Sequence, residues 1–388
     1  MSHIVMVLLG DIRYDGRVRK EIKTLSVAGH QIELVTSDFK GDASGGEDLG
    51  IPVHYVPITL WSSPAMNFLS QIRFNKDVAS IICRLAPSHI HCHDLSTLLA
   101  GVWAKKRTGA KLIFDAHELM PESMGGVREK VWGRIEKKYI DWCYEIIMPE
   151  KNRISYFKRK YPRVGDVLLL ENFPRRSDIP QEHFDLFREI YPITKDQKIV
   201  LHTGLIAAKR HVEELIDSMT LCGEEFALVL LGRTFKGYQQ SLKDRIKKGG
   251  LESRVFLHDA VPHSEILRYM ASGDIGTAFY SNINVNNYYC ASNKLYEYIA
   301  LGKPVVTNDY PGLLETVESF GQGVCLETIT PAPLAESYTR ACESDSLLPG
   351  KKKVFWEEQE NVLTNLYERE VSKTTPLRGT TNSRRLVA

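Results

Sequence analysis

Short apolar runs alternate with amphipathic stretches along most of the chain. In the first half these runs are IVMVLLG, QIELVTS, VHYVP, SHIHCHD, KLIFDAHE, EIIMPE and DVLLLENF. In the second half they are KIVLHTG, FALVLLG, RVFLHDA, DIGTAFY, KPVVTND and GVCLE. Strand-like runs separated by long helical patterns are typical of parallel strands that are buried on both faces. The pattern therefore predicts two doubly wound α/β domains in tandem.

A stretch without sustained periodicity separates the two halves. Residues 174–195 carry charges and prolines, which favours an inter-domain connection there. We therefore expect an N-terminal domain over residues 1–175 and a C-terminal domain over 196–345. Residues 346–371 contain a helical pattern that should pack on the body of the protein. Residues 372–388 are polar with no core pattern and are predicted to be a disordered tail.

Composition narrows the class of protein. A chain of 388 residues exceeds the usual size of one core, and 43% hydrophobic with 25% charged residues is typical of a globular protein. The net charge of +2 gives no argument for nucleic acid. Seven scattered cysteines without a CxxC pair favour a reduced, cytoplasmic protein. The first apolar run is too short to span a bilayer and is interpreted as a buried strand.

A basic loop follows the first strand of the second half. Ligands of doubly wound sheets bind at the carboxyl ends of strands. In TGLIAAKRHVEELI, Gly204 ends the strand, and Lys209 and Arg210 open a helix. Backbone N–H groups and two cations there suit a diphosphate without a metal, although an exposed basic helix start remains an alternative. The loop is neither a Walker A loop nor a Rossmann fingerprint.

The segment SNKLYEYIALGKPVV is a second candidate site. Its spacing predicts a helix over residues 293–301, capped by a Ser or Asn and stopped by Gly302. Lys294 and Glu297 lie one turn apart at its start, where Glu297 could accept hydrogen bonds from a ribose diol and Lys294 could meet phosphate. A surface ion pair between these two residues is the alternative.

Histidines mark two strand ends in the first half. His117, in DAHEL, could donate a hydrogen bond to a reacting sugar or serve as an acid or base, and a satisfied loop histidine is an equal alternative. His91, Cys92, His93 and Asp94 suggest a metal site. Alternation along a strand would send His91 and His93 to one side and Cys92 to the other, so we expect no metal there.

Residues 128–163 are rich in Lys and Arg. The segment interleaves them with Trp132, Tyr139, Trp142, Tyr156 and Phe157. Such a surface could make a peripheral contact with the inner face of a membrane or bind an acidic acceptor. An ordinary solvated helix face is the competing interpretation.

Six ordered motifs together resemble a known family. They are DGRVRKEIKTLSVAGHQIELV, FDAHELMPE, LHTGLIAAKRHVEELI, VFLHDAVPHSEIL, GDIGTAFY and SNKLYEYIALGKPVV. Their order resembles that of the retaining glycosyltransferases of the GT-B fold, family 4 in particular. The similarity runs from the first strand to about Glu327. It implies two Rossmann-like domains facing a cleft, a nucleotide-sugar donor held mainly by the C-terminal one, an acceptor held mainly by the N-terminal one, and no metal or other cofactor.

The resemblance also implies roles for individual residues. His117 and Glu297 would be catalytic, with His117 near the reacting carbon of the donor sugar and Glu297 on the ribose. The residues implied for donor binding are Gly204, Lys209, Arg210, Asp259, Val261, Asn293, Lys294, Leu295 and Glu297. Those implied for acceptor binding are Gly10, Asp15, Arg17 and Asn172.

One position departs from the family pattern. Many members carry a second glutamate eight positions before Glu297, where this chain has Tyr289. The SNKLYEY form resembles a pattern among enzymes of surface polysaccharide synthesis. We therefore expect a retaining transferase that moves a sugar from a nucleoside diphosphate to a saccharide or lipid-linked acceptor hydroxyl, in polysaccharide or glycoconjugate synthesis. A nucleotide-sugar epimerase of the same fold and an inactive, transferase-like partner protein are the rivals.

Overall fold

The protein contains two parallel sheets, as the alternation of apolar runs predicts. The computed structural model describes residues 1–320, 323–343 and 354–368. The N-terminal sheet has seven strands: β1 (His3–Leu8), β2 (Gln31–Asp38), β3 (Val53–Pro57), β4 (His89–His93), β5 (Lys111–Asp115), β6 (Glu145–Met148) and β7 (Val167–Leu169). The C-terminal sheet has six: β8 (Lys198–Thr203), β9 (Phe226–Leu231), β10 (Val255–His258), β11 (Ile275–Ala278), β12 (Val305–Asn308) and β13 (Gly323–Leu326).

The two sheets have the same doubly wound order. The N-terminal order is β3-β2-β1-β4-β5-β6-β7, and the C-terminal order is β10-β9-β8-β11-β12-β13. Direction along the sheet therefore reverses beside β1 and beside β8. Crevices outside the carboxyl ends of the strands at such points are where ligands bind in this class of fold. The GT-B architecture of two Rossmann-like domains is thus the observed one.

Helices cover both faces of each sheet. Those of the N-terminal half are α1 (Gly16–Val27), α2 (Pro64–Leu85), α3 (Leu95–Thr108), α4 (Met120–Met124), α5 (Gly126–Tyr139) and α6 (Lys151–Lys160). The later ones are α7 (Leu186–Ile190), α8 (Val212–Ser218), α9 (Lys236–Lys248), α10 (Ile266–Ala271), α11 (Val285–Tyr288), α12 (Asn293–Ala300), α13 (Pro311–Phe320), α14 (Pro331–Glu343) and α15 (Glu360–Glu368). Among the described residues, no helix is long and apolar enough to cross a bilayer.

The central strands are buried on both faces, which explains why their sequences do not alternate between apolar and polar residues. Side chains of β1 point alternately into two cores, one beneath α2 and α3 and the other beneath α1 and α15. The C-terminal sheet likewise has one core on each face. Both faces of the central strands are therefore apolar, which is why these strands read as continuous apolar runs.

The last described segment returns to the N-terminal domain. Trp356 is fully buried; its backbone N–H donates to the Pro174 carbonyl at 2.9 Å and its indole N–H to the Thr24 hydroxyl at 2.8 Å. Helix α15 packs beside α1, and its Tyr367 hydroxyl lies 2.6 Å from His91 Nδ1. Packing of residues 354–368 on the body was expected, and the structure identifies the N-terminal core as their partner. The predicted tail at 372–388 lies outside the described residues.

Candidate active site

Two glycines bring β8 and β9 together at the switch point of the C-terminal sheet. Gly204 has a φ of +103°, and its N–H donates to the Leu231 carbonyl at 2.9 Å. A Cβ on Gly204 would lie 2.6 Å from Lys294 Nζ, and one on Gly232 would collide with the Gly204 carbonyl. Only glycine allows this close approach at this backbone conformation. The Lys294 ammonium therefore lies directly against the backbone of this loop.

A pair of cations lies around this loop. Arg210 stacks over the Tyr280 ring, with 4.4 Å from its guanidinium carbon to the ring centroid. The Tyr280 hydroxyl donates to Ser292 Oγ at 2.9 Å, and Ser292 caps the N-terminus of α12. Burial and then the nearby Arg210 charge lower the pKa of Lys294 to about 8, with Glu297 opposing them. Two cations beside a helix N-terminus form a site for an anion.

Glu297 is a half-buried residue of α12 on which the charge of Lys20 acts from the N-terminal domain. No hydrogen bond or ion pair holds the Glu297 carboxylate within the described ranges, and none joins it to Lys294. Burial raises the pKa of Glu297, while the charges of His263, Lys20 and Lys294 oppose that rise. A half-buried carboxylate with free acceptor atoms suits a ligand that brings hydroxyl donors.

His117 lies at the carboxyl end of β5, across the cleft. Its Nε2 lies 3.1 Å from Asp115 Oδ2, and its Nδ1 lies 3.5 Å from Asp94 Oδ2. Burial opposes the charged imidazolium, but Asp94 and Asp115 outweigh it and raise the pKa of His117 to about 10. Asp94 itself has a φ of +62°, a strained conformation of the kind that clusters at functional sites. His117 is therefore a cation that faces the cleft near neutral pH.

Two family models match this chain. Residues 16–153 match the glycosyl transferase 4-like domain, and residues 183–353 match the glycosyl transferases of group 1. The chain is a group 1 glycosyltransferase of the GT-B fold. No curated protein sequence matches it significantly.

Solved structures share the fold over nearly the whole chain. Sucrose-phosphate synthase from Thermosynechococcus elongatus is 16% identical with a TM-score of 0.76, and the match covers 95% of this chain and 98% of that one. Anabaena Alr3699/HepE, solved with UDP and glucose, is 16% identical with a TM-score of 0.67, covering 94% and 95%. A protein described as a UDP-N-acetylglucosamine 2-epimerase from Listeria monocytogenes is 10% identical, with a TM-score of 0.66 and coverage of 95% and 97%. At these identities the likeness shows the fold.

The remaining donor-side candidates of this glycosyltransferase differ in placement. Lys209 is exposed, and its carbonyl accepts from the Ser281 hydroxyl at 2.8 Å. Leu295 is buried in the core, so its side chain supports α12 from behind. Asp259 and Val261 follow β10, with Asp259 exposed and Val261 packed against the core of this domain. Any contact that Leu295 makes with a ligand has to come from its backbone.

The acceptor-side candidates divide in the same way. Gly10 offers a carbonyl that already accepts from the Thr36 and Ser37 hydroxyls, each at 3.0 Å. Asp15 is the N-cap of α1, where its carboxylate accepts from the Val18 N–H at 3.0 Å.

Asn172 bridges the cleft, since its Nδ2 donates to the side-chain oxygen of Asn293 at 3.0 Å. It is therefore placed between the two domains rather than within the acceptor side alone.

Arg17 is placed differently from the expectation of an acceptor contact. Its guanidinium is 4% exposed and donates to both carboxylate oxygens of Asp115 at 2.7 and 2.9 Å, and to the Leu170 carbonyl at 2.7 Å. Burial opposes the Asp115 carboxylate, but Arg17 and then His117 hold the pKa of Asp115 well below its usual value. Arg17 therefore acts here on Asp115, and through it on His117, from beneath the cleft.

A group of potential metal ligands surrounds the same guanidinium. Atoms of Glu21, His91, His93 and Asp115 lie within 4.8 Å of one another. The imidazoles of His91 and His93 stack at 4.4 Å, on the opposite side of the strand from Cys92, as alternation predicts. Arg17 Nε lies 2.7 Å from Asp115 and 3.1 Å from Glu21. Burial and then the Asp115 charge raise the pKa of Glu21 well above its ordinary value, so Asp115 is the carboxylate that this fixed cation neutralises. We interpret the group as a buried ion-pair network that orients Asp115.

Sequence reasoning missed the residues that reach the site from the other domain. Lys20 of α1 donates to the Phe173 carbonyl at 2.5 Å and acts on Glu297, while burial and Arg17 lower the pKa of Lys20 to about 8. Arg153 of α6 binds carbonyl groups of both domains. The sequence feature that could have indicated Lys20 is a lysine on a helix that begins beside the first loop. Many surface helices carry such a lysine, so this feature does not single out Lys20.

Tyr289, the departure from the family pattern, turns away from the donor loop. Its ring lies 5.9 Å from that of Tyr156 and packs against the N-terminal core. The side chain at this position is therefore an inter-domain contact instead of a carboxylate in the cleft.

Proposed function

We propose that this glycosyltransferase moves a sugar from a nucleoside diphosphate to an acceptor hydroxyl with retention at the anomeric carbon and without a metal ion. The observation that carries the proposal is the unpartnered Glu297 carboxylate beside the cations Lys294 and Arg210 at the β8 switch point. A ribose diol supplies the donors that Glu297 lacks, and a diphosphate supplies the anion that the cations lack.

The reaction places developing negative charge on the leaving diphosphate as the glycosidic bond breaks. Lys294 and Arg210 stabilise that charge, which is a task that a divalent metal performs in other transferases. Front-face attack by the acceptor, with a donor phosphate oxygen taking its proton, gives retention without a protein nucleophile.

His117 faces the same cleft from the N-terminal domain. The pKa of its imidazole, raised by Asp94 and Asp115 to about 10, makes it an imidazolium rather than a base. Its Nε2 N–H already faces Asp115 at 3.1 Å, so the Nδ1 N–H, 3.5 Å from Asp94, is the one that a ligand could receive. We propose that His117 contacts the donor sugar next to the reacting carbon.

Nucleotide binding tests the donor site directly. We would measure thermal unfolding with UDP, GDP, dTDP, ADP and CMP, each with and without EDTA, beginning with UDP because the Anabaena relative was solved with it. A nucleotide at 100 times its Kd adds about 2.7 kcal/mol to the free energy of unfolding. We expect one diphosphate to stabilise the wild type equally in EDTA, and Glu297→Ala and Arg210→Ala to lose that effect. Dependence on added Mg²⁺ would contradict metal independence.

Product analysis tests the chemistry. Incubation of the matching nucleotide sugar with saccharide and lipid-linked acceptors, followed by NMR of the anomeric proton, should show a retained configuration in an acceptor-dependent product. A new nucleotide sugar formed without acceptor would support the epimerase instead. An absence of nucleotide binding would favour an inactive partner protein.

A lipid-linked acceptor is the acceptor class we propose, and it would place the protein at a membrane. The large apolar side chains of Leu60, Trp61, Met66 and Leu69, around the start of α2, and Val127, at the start of α5, are exposed. The two helices meet through Phe68 and Trp132, whose rings lie 5.8 Å apart. Both helices begin at the sheet edge that carries His117, and such an exposed patch marks an interaction site. We call these five exposed side chains the apolar face.

Basic side chains accompany the apolar face and favour anionic lipid. Those exposed on α5 are Arg128, Lys130, Arg134, Lys137 and Lys138. The structure restricts the expected 128–163 surface, because Trp132 and Phe157 are buried in the core and Lys160 pairs with Glu122 and Glu136. The exposed basic side chains of α5 lie beside the apolar face and are the ones we propose for a headgroup, while Lys158, Arg159 and Arg163 are also exposed further along the segment.

Vesicle sedimentation tests this contact. We expect binding to phosphatidylcholine vesicles that contain phosphatidylglycerol, weakening with salt, and little binding to phosphatidylcholine alone. The double variant Trp61→Ser, Leu69→Ser should lose binding. Leu221→Ser, which removes an exposed leucine of the other domain, is the matched control. Undiminished binding of the double variant would refute the membrane contact.

A further inference from the structure

Arg153 joins the two domains at the back of the cleft. Its side chain is 5% exposed, and its guanidinium donates to three backbone carbonyls: Tyr289 at 2.6 Å, His117 at 2.7 Å and Asn286 at 3.2 Å. Two of these carbonyls belong to the C-terminal domain and one to the N-terminal loop that carries His117. The planar fork of an arginine can hold several acceptors in one fixed arrangement.

Asn286 makes the reciprocal contact from the other domain. Its side-chain oxygen accepts from the Leu119 N–H at 2.9 Å, and its amide nitrogen donates to Glu118 at 3.2 Å. Segment 117–119 is thus held at His117 by Arg153 and at Leu119 by Asn286. Both contacts reach the loop that carries His117, and neither reaches its imidazole.

Apolar packing supports the same junction. Val285, the first residue of α11, and Tyr289, which follows its last residue, pack against the core of the N-terminal domain. Helix α11 is part of the C-terminal chain that leads directly into α12 and its Glu297. The junction therefore connects the donor-binding helix with the loop of His117.

We propose that Arg153 is a positioning residue that couples closure of the two domains to the placement of His117. Its three carbonyl partners come from both sides of the cleft, so the guanidinium binds all three only when the domains are together. Opening the cleft removes the Tyr289 and Asn286 carbonyls and leaves the His117 loop without its cross-domain anchor at Leu119. The inference rests on the proposed transfer reaction.

The alternative is that Arg153 only holds the domains together. In that case its loss lowers stability, and any loss of turnover follows from unfolding. A positioning residue has a different signature: substrate still binds at the C-terminal donor site, while the bound complex reacts slowly because His117 is misplaced. A misplacement of about 1 Å costs roughly 100-fold in turnover.

The test compares binding with turnover in four variants. Among the diphosphates UDP, GDP, dTDP and ADP, the one that binds the wild type most tightly gives the Kd. Its release from the corresponding nucleotide sugars in the presence of acceptor gives kcat. The variants are Arg153→Met, Asn286→Ala, their combination, and Arg159→Met as a control for an exposed arginine on the same helix. Thermal unfolding establishes that each variant is folded at the assay temperature.

We expect Arg153→Met to keep the Kd within about twofold and to lower kcat about 100-fold. Asn286→Ala should lower kcat with an unchanged Kd, the combination should be no slower than Arg153→Met alone, and Arg159→Met should equal the wild type. A kcat of Arg153→Met near the wild-type value, multiplied losses in the combination, or a Kd that weakens in step with kcat would overturn the inference.

Two outcomes separate the inference from the function on which it rests. If Arg153→Met does not fold, Asn286→Ala decides, and an unchanged kcat in that variant overturns the coupling. If the wild type binds none of the diphosphates, the proposed function fails and the inference fails with it. If the wild type binds and releases the diphosphate and neither substitution changes kcat, the proposed function stands and the coupling alone is rejected.

Discussion

Replacing Lys294 by methionine should abolish a proton uptake that accompanies diphosphate binding. In the free protein, burial and then the Arg210 charge lower the pKa of Lys294 to about 8. A bound diphosphate supplies the missing counter-charge and should return the pKa towards its ordinary value of 10.5. Binding between these two values therefore requires the ammonium to take up a proton.

The size of this uptake follows from the two pKa values. For a return to the ordinary value, about 0.1 proton is taken up per bound diphosphate at pH 7, about 0.5 at pH 8 and about 0.9 at pH 9. The same linkage weakens binding about tenfold between pH 7 and pH 9. As pH rises, the proton uptake grows and the affinity falls. Both effects arise because the diphosphate binds the charged form of Lys294, and rising pH depletes that form in the free protein.

Calorimetry in buffers of different ionisation enthalpy measures the uptake. We would titrate the tightest-binding diphosphate into the wild type, Lys294→Met and the control Lys243→Met, an exposed lysine on α9, at pH 7, 8 and 9. The control should match the wild type, and Lys294→Met should bind weakly with little uptake. An affinity that stays constant from pH 7 to 9 in the wild type, or equal uptake in Lys294→Met, would refute contact between Lys294 and the diphosphate.

Three further predictions concern other parts of the site. Gly204→Ala should cost about 1–3 kcal/mol in urea unfolding because of its positive φ, and should weaken diphosphate binding at least tenfold; wild-type binding would contradict the close approach at this loop. Asp115→Asn should destabilise the protein by about 3–5 kcal/mol, because Arg17 is left buried without its partner, and a loss below 1 kcal/mol in the same measurement would show that the pair is not essential. The raised pKa of His117 stabilises the fold fully below about pH 6.5, and that stabilisation should disappear as pH rises through about 10; His117→Asn should lack this slope in unfolding measured from pH 6 to 10.5.

Local patterns predicted the strand end and the helix start that carry the donor-side candidates. Gly204, Arg210, Lys294 and Glu297 each follow from a strand end or a helix start that the sequence marks by itself. Doubly wound topology then brings β8 and the start of α12 to one edge of the sheet, since parallel strands present their carboxyl ends together. Ser292 caps α12 as its residue type predicts, and the helix ends at Ala300, one residue before the predicted end.

Local patterns did not predict side chains whose partners are distant in the sequence. The resemblance implies an acceptor contact for Arg17, yet its buried guanidinium pairs with Asp115, 98 positions away. Tyr289 occupies a position where the family has a carboxylate, but the N-terminal core receives its ring. In both cases the deciding contact joins residues that no periodicity relates.

The sequence by itself determined the two sheets and the strand ends and helix start that carry the candidate donor-side residues, because these depend on burial periodicity and on caps within a few residues. The tertiary structure decided which cation reaches Glu297 from the other domain, how Asp94 and Asp115 keep His117 charged, and that Arg153 holds both domains at once. These depend on the distance between charges and on desolvation, and both quantities exist only after the chain has folded.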